Sequence, residues 1–178
     1  MNLLETIFQS MRQPQPPAHI GEAMSLWTYF VALKECRAMC LLMANHTADP
    51  ELREFIEHFI THIEEPQLKD LRELMRDAGV DFPNVTADKA KADPNQLLAG
   101  ARMTEEEVAN MLVLKAQGML IIAHTALLQA LRPDYGVLWY RVHNEVLVEA
   151  TKLKQMMQKR GWLRVPPQFR SSSSTTPM

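Results

Sequence analysis

Cysteine is scarce in this chain of 178 residues, and so is any imbalance of charge. The two cysteines, Cys36 and Cys40, lie four apart. On one helix that spacing places them on the same face, where disulfide geometry is poor. Their apolar neighbours favour small buried thiols over a metal or redox role. The formal net charge is −2, from 19 basic against 21 acidic residues, which argues against a nucleic-acid partner. No catalytic motif stands out. The opening stretch MNLLETIFQSMR carries an early acid and only a short apolar run, so it does not read as a secretory signal. These absences leave the expectation of a cytosolic chain with no membrane span. The length suits one domain with a proper core.

Helical periodicity is plentiful. The longest apolar run is Glu105 to Leu131. Within it Glu107, Met111, Leu114, Gly118, Ile121, Thr125 and Leu128 alternate in steps of four and three, which makes one seam. Val113, Ala116, Leu120 and Leu127 form a second stripe beside it. Such a helix must be covered on more than one side. Lys115, Gln117, His124 and Gln129 interrupt it, so a central helix of a soluble bundle is expected rather than a span.

Three more long helices are expected around it. The first runs from about His19 to Asn45, with a seam of Leu26, Phe30, Leu33, Arg37, Cys40 and Ala44. Asp49 as a cap and Pro50 in the first turn start the second, from Pro50 to Ala78. Its seam is Leu52, Ile56, Phe59 and Ile63, and Pro66 inside it removes a backbone donor, so a kink or bulge is expected near Glu65. From Val80 to Met103 the helical pattern vanishes. Thr104 and Glu107 form a capping box that restarts it. The last helix runs from Pro133 to Arg160, with Trp139, Val142, Val146, Glu149, Leu153 and Met156 in line and Gly161 after its end.

The connections are therefore short, long, short. A helix of about 25 residues spans ~38 Å, and the long connection can cross that distance. One long crossover between two helical hairpins is the ferritin-like order. The expected fold is all-α: a ferritin-like four-helix bundle crossed over between helices two and three, plus a short N-terminal helix. The expected organisation is a docking helix and Pro-rich linker over 1–17, the bundle over 18–168 and a disordered tail over 169–178.

In that order Arg37, His62, Gln117, Glu149 and Glu145 fall near one level. A buried Arg37–Glu149 ion pair is expected there, helped by His62 and Gln117, as a device of structural specificity. A di-metal centre needs a Glu from each of two helices and Glu-x-x-His from each of the others. Neither Glu-x-x-His is in place, and Arg37 stands where a carboxylate would be. No catalytic residue, metal or cofactor is therefore assigned. The alternative is iron, manganese or zinc on His58, His62, Glu145 and Glu149. His19 and His46 are expected at solvated helix ends, and His124 as a core histidine.

The stretch GEAMSLWTYFVALKECRAMCLLMANHTADPELREFIEH resembles the first hairpin of the spore coat protein F-like family and its related ferritin-like family in spore-forming bacteria. GVDFP (79–83) and GWLRVPP (161–167) extend the resemblance, which covers roughly residues 20 to 168. It implies a ferritin-like bundle and association with the spore coat, and it supplies no active site. Many relatives carry two such bundles, so this single one implies a homodimer. Two readings stand side by side. One is a non-enzymatic structural or assembly protein whose partners are a second copy and spore coat proteins. The other is a ferritin-like metal-binding protein or oxidase relative.

Overall fold

The computed structural model describes residues 15–98 and 100–169. The docking helix expected ahead of the Pro-rich linker, and the tail beyond 169, lie outside the described residues. Within them the chain forms α1 (Ile20–His46), α2 (Pro50–Phe59), α3 (Glu65–Asp77), α4 (Glu105–Gln129) and α5 (Pro133–Arg160). A π-helical turn, Ile60–Glu64, fuses α2 to α3, so the rods number four. No strand occurs among the described residues. This is the ferritin-like four-helix order, with the long crossover between α3 and α4.

Both ends of the bundle are fastened by caps. At one end His19 caps α1, accepting from the Gly21 amide at 3.0 Å, while Glu22 Oε2 accepts from the His19 amide at 3.1 Å. Glu22 Oε1 accepts from the amides of Leu131 and Arg132, both at 2.8 Å, just before α5. One buried carboxylate thus serves the N-termini of two parallel rods, where orphan amides and the helix dipole both favour an anion. At the other end Asp49 caps α2 through the Leu52 amide at 3.0 Å and takes Arg160 of α5 at 2.6 Å. His46 Nδ1 accepts from the Met103 amide at 3.1 Å. His19 is therefore a capping group, and His46 ties down the residue before the α4 cap; neither is a free solvated side chain.

The strap from Val80 to Leu98 runs along α1. Phe82 packs on Phe30 at 5.7 Å between ring centres. Glu35 accepts from the Thr86 amide at 2.9 Å, and Asn45 bonds both Ala90 and Ala92 at 2.8 Å. Asp88 sits between Lys34 at 3.1 Å and Arg37 at 2.8 Å.

The π turn decides which residues of the second rod face inward. In an uninterrupted α-helix, Leu52, Ile56 and Phe59 would be followed inward by Ile63, Pro66, Asp70 and Leu74. The turn inserts one residue, and the buried set becomes Glu64, Gln67, Leu71 and Met75. Pro66 is the local cause: it cannot donate to the carbonyl four residues back, and the Glu65 amide reaches five back, to Ile60. The expected bulge is present, and its consequence is a carboxylate and an amide turned into the core.

The exposed side of α4 departs from expectation. Glu107, Met111, Leu114, Gly118, Ile121, Thr125 and Leu128 all face outward. The inward line is Val108, Leu112, Lys115, Met119, Ala123 and Ala126, with Lys115 its one charge. An α-helix apolar over most of its circumference carries several lines of similar period. The small residues Ala109, Ala123 and Ala126 are what fit between the rods.

Candidate functional site: a buried polar layer around Lys115

The core falls into two apolar clusters. One gathers around Tyr29, Leu71, Met119 and Trp139. The other gathers around Cys40, Ile56, Phe59, Leu112 and Leu153. Lys115 and Glu64 meet at the seam, on the sulfur of Cys40 and the ring of Phe59. Lys115 Nζ donates to Glu64 Oε1 at 2.6 Å, with the two side chains 8% and 0% exposed. The same ammonium lies 2.7 Å from Cys40 Sγ and 4.3 Å from the centre of the Phe59 ring. A carboxylate, a soft sulfur and an aromatic face thus surround one buried cation, each a favourable neighbour for positive charge.

Burial opposes the charge on Lys115, yet its pKa stands above the ordinary lysine value because Cys40 and Glu64 face it. Burial raises Glu64 above the usual carboxylate range, with Lys115 opposing. Burial also pushes the Cys40 thiol up to about 12, so at neutral pH it is a neutral, unreactive thiol. Glu64 Oε2 has no hydrogen-bond partner among the described residues.

A second polar chain crosses the bundle nearby. The buried Tyr29 hydroxyl donates to Gln67 Oε1 at 3.1 Å, and Gln67 Nε2 donates to Glu145 at 2.8 Å. Tyr29 also meets Trp139 edge to face at 5.3 Å. Glu149, 4% exposed, takes Lys152 at 2.6 Å and lies 4.0 Å from His58 Nε2.

The expected Arg37–Glu149 pair is not formed. Arg37 lies one step round α1 from Cys36, at the margin of the rod, and the strap reaches it there. Its partners are Asp88 and Glu65, at 2.8 and 3.0 Å. His62 is exposed and stacks on His58 at 4.4 Å. Gln117 is exposed. Glu145 is half-buried and is held by Gln67 and Arg141. Of the five residues, only Glu149 is fully interior. The buried cation of the bundle is Lys115, which interrupts the apolar run of α4.

The four alternative metal ligands do not converge either. His58 approaches Glu149, while His62 turns outward and Glu145 belongs to the Tyr29–Gln67 chain. Among the described residues no group of three or more His, Cys, Asp or Glu side chains is gathered as a metal site. The ferritin-like fold implies a di-metal centre, and this donor set does not fit one. Glu64 already faces an ammonium, which repels a metal cation. His124 is exposed beside His143, with ring centres 5.8 Å apart, and is no core residue.

Comparisons with known proteins agree with this architecture. The chain superimposes with a TM-score of 0.82 on a crystal structure of a Bacillus halodurans protein described provisionally as a spore coat protein. The two are 24% identical, and the match covers 91% of this chain and 99% of that one. A second crystal structure, from Anabaena variabilis, combines a DJ-1/ThiJ/PfpI-like domain with a ferritin-like domain. It matches at a TM-score of 0.64 and 10% identity, over 86% of this chain and 41% of that one. YvdQ, an uncharacterised protein of Bacillus subtilis, is 24% identical over 151 residues, covering 85% of this chain and 88% of its own. A family profile described as protein of unknown function DUF3231 matches residues 7–174, nearly the whole chain, and the protein belongs to that family.

Proposed function

We propose that this protein is a non-enzymatic assembly component of the spore, acting through the surfaces of its helices. The observation that carries the reading is the outer face of α4. There Leu114, Ile121 and Leu128 are 61%, 67% and 75% exposed, in one continuous line. A contiguous apolar face of this size marks an interaction site on a soluble chain. The bundle interior supports the same reading, because its central charge is neutralised internally by Lys115 and Glu64. The likeness to a Bacillus halodurans protein described provisionally as a spore coat protein supports the location.

Fractionation of spores from the source organism tests this. The chain should appear in the coat extract and not among the soluble proteins of the core. Recovery only from the soluble cytoplasm of growing cells would overturn it. The metal-binding reading is tested by elemental analysis of protein purified without a metal-affinity tag. Retention of a full equivalent of iron, manganese or zinc after metal addition and dialysis would favour that reading instead.

A further inference from the structure

The apolar face of α4 is self-complementary. Its exposed line is Met111, Leu114, Gly118, Ile121, Thr125 and Leu128. Turned end for end about a point between Met119 and Leu120, the line maps onto itself. Met111 then meets Leu128, Leu114 meets Thr125, and Gly118 meets Ile121. Each large residue of the inner pairs falls on a small one. A Cβ added at Gly118 would meet nothing within 4 Å, so a notch is open there. Beside Thr125 a groove runs between α1 and α4, walled by Met24, Ser25 and Thr28, and it is open to the opposing Leu114. A parallel pairing would set Gly118 on Gly118 and Ile121 on Ile121, leaving one void and one collision. Alternation of large and small is what lets facing helices interdigitate.

We infer that two copies of this chain associate through α4, antiparallel, across a two-fold axis between residues 118 and 121. The inference rests on the assembly reading above and names its first partner. With Met24 59%, Leu114 61%, Ile121 67% and Leu128 75% exposed, the α4 line and Met24 present on the order of 600 Å² of apolar side-chain surface, the upper end for the largest patch of a monomer. With its rim of Gln117, His124 and Thr28 it approaches the roughly 800 Å² per partner of a stable interface. An isologous face of this kind closes at two subunits. From Met111 to Leu131 the face has no acid, its lysine (Lys115) is turned inward, and its one histidine, His124, lies on the rim, so no like charges meet at the centre of the pair. A lipid surface is disfavoured by the same composition, because interfacial helices flank their apolar face with Lys and Arg. Although α4 is long and apolar enough to cross a membrane, leaving the bundle would expose its inner line and strand Lys115.

Disulfide trapping in the full chain tests the geometry. Leu114→Cys and Thr125→Cys are made separately and also co-expressed. In the proposed dimer, position 114 faces 125 of the other copy, whereas the two 114 positions lie roughly 16 Å apart along the axis. That exceeds the reach of a disulfide, about 7 Å between Cα atoms. Mild oxidation should convert the mixture to a cross-linked species of twice the mass, at least about tenfold more than either variant alone. Cross-linking of each variant with itself, but not in the mixture, would mean a parallel pair and overturn the proposal. Closure of Phe8→Cys/Ile121→Cys within one chain would assign the face to the N-terminal stretch. Flotation with phosphatidylcholine vesicles would assign it to a membrane. Either result also overturns the proposal. A dimer that forms without the 114–125 cross-link sinks only this geometry, while a chain that is monomeric and absent from the coat sinks the assembly reading as well.

Discussion

Lys115 and Glu64 form an ion pair at 2.6 Å in the interior of a four-rod bundle, joined across two hairpins that are distant in sequence. Each residue alone would be a buried, uncompensated charge. Lys115→Met should therefore cost roughly 3–5 kcal/mol, and Glu64→Leu a comparable amount. The double variant should recover most of that loss, because an apolar pair of similar volume removes both charges together. Urea denaturation of the three variants measures the coupling, and simple additivity would show that the two residues act independently.

The same pair predicts sensitivity to alkali. The pKa of Lys115 is raised in the fold above its ordinary value of 10.5. A raised base contributes stability that is fully present below the unfolded value and is lost as pH rises through the folded one. Thermal melts between about pH 9 and 12, a range that brackets the ordinary lysine value, should show the wild type falling more steeply above that value than Lys115→Met/Glu64→Leu.

At the capped end, Glu22 should confer sensitivity to acid. Burial alone would raise its pKa, but the amides of Arg132, Leu131 and His19 outweigh burial and lower it below 4.5. The stability it contributes is present above the unfolded value and is lost as pH falls through the folded one. Glu22→Gln should cost about 1–3 kcal/mol near neutral pH, as for a lost hydrogen bond to a charged group. Its melting temperature should also depend less on pH below about 4.5.

The strap should loosen without the bundle unfolding. Arg37 and Asp88 are partly exposed, so Arg37→Leu should cost only about 1 kcal/mol. Amide exchange at Thr86 and Ala92 should accelerate, while the amides of α4 and α5 remain protected. A loss of several kcal/mol would mean that Arg37 belongs to the core after all.

Much of the fold was legible in the residues. Asp49–Pro50, Thr104 with Glu107, and Gly161 each have a local physical cause and stand where the sequence puts them. Short, long and short connections fix the order of the rods. The central pair was harder to read. Glu64 faces inward only because the turn at Ile60–Glu64 adds a residue, and Pro66 signals the turn without giving its size. The phase change from Leu52, Ile56 and Phe59 to Leu68, Leu71 and Met75 was the available sign. In α4 the regular spacing of Met111, Leu114, Gly118, Ile121, Thr125 and Leu128 described a real apolar line. Periodicity alone does not say whether such a line packs within the chain or outside it.

Sedimentation equilibrium of the full-length chain beside Ile121→Lys tests the assembly claim most directly. The wild type should be a dimer and the variant a folded monomer, since position 121 lies beside the two-fold axis, about 4–5 Å along the helix from position 121 of the other copy, and two lysines there repel. A wild-type chain that remains monomeric at high concentration, or a variant that dimerises as well as the wild type, would contradict it.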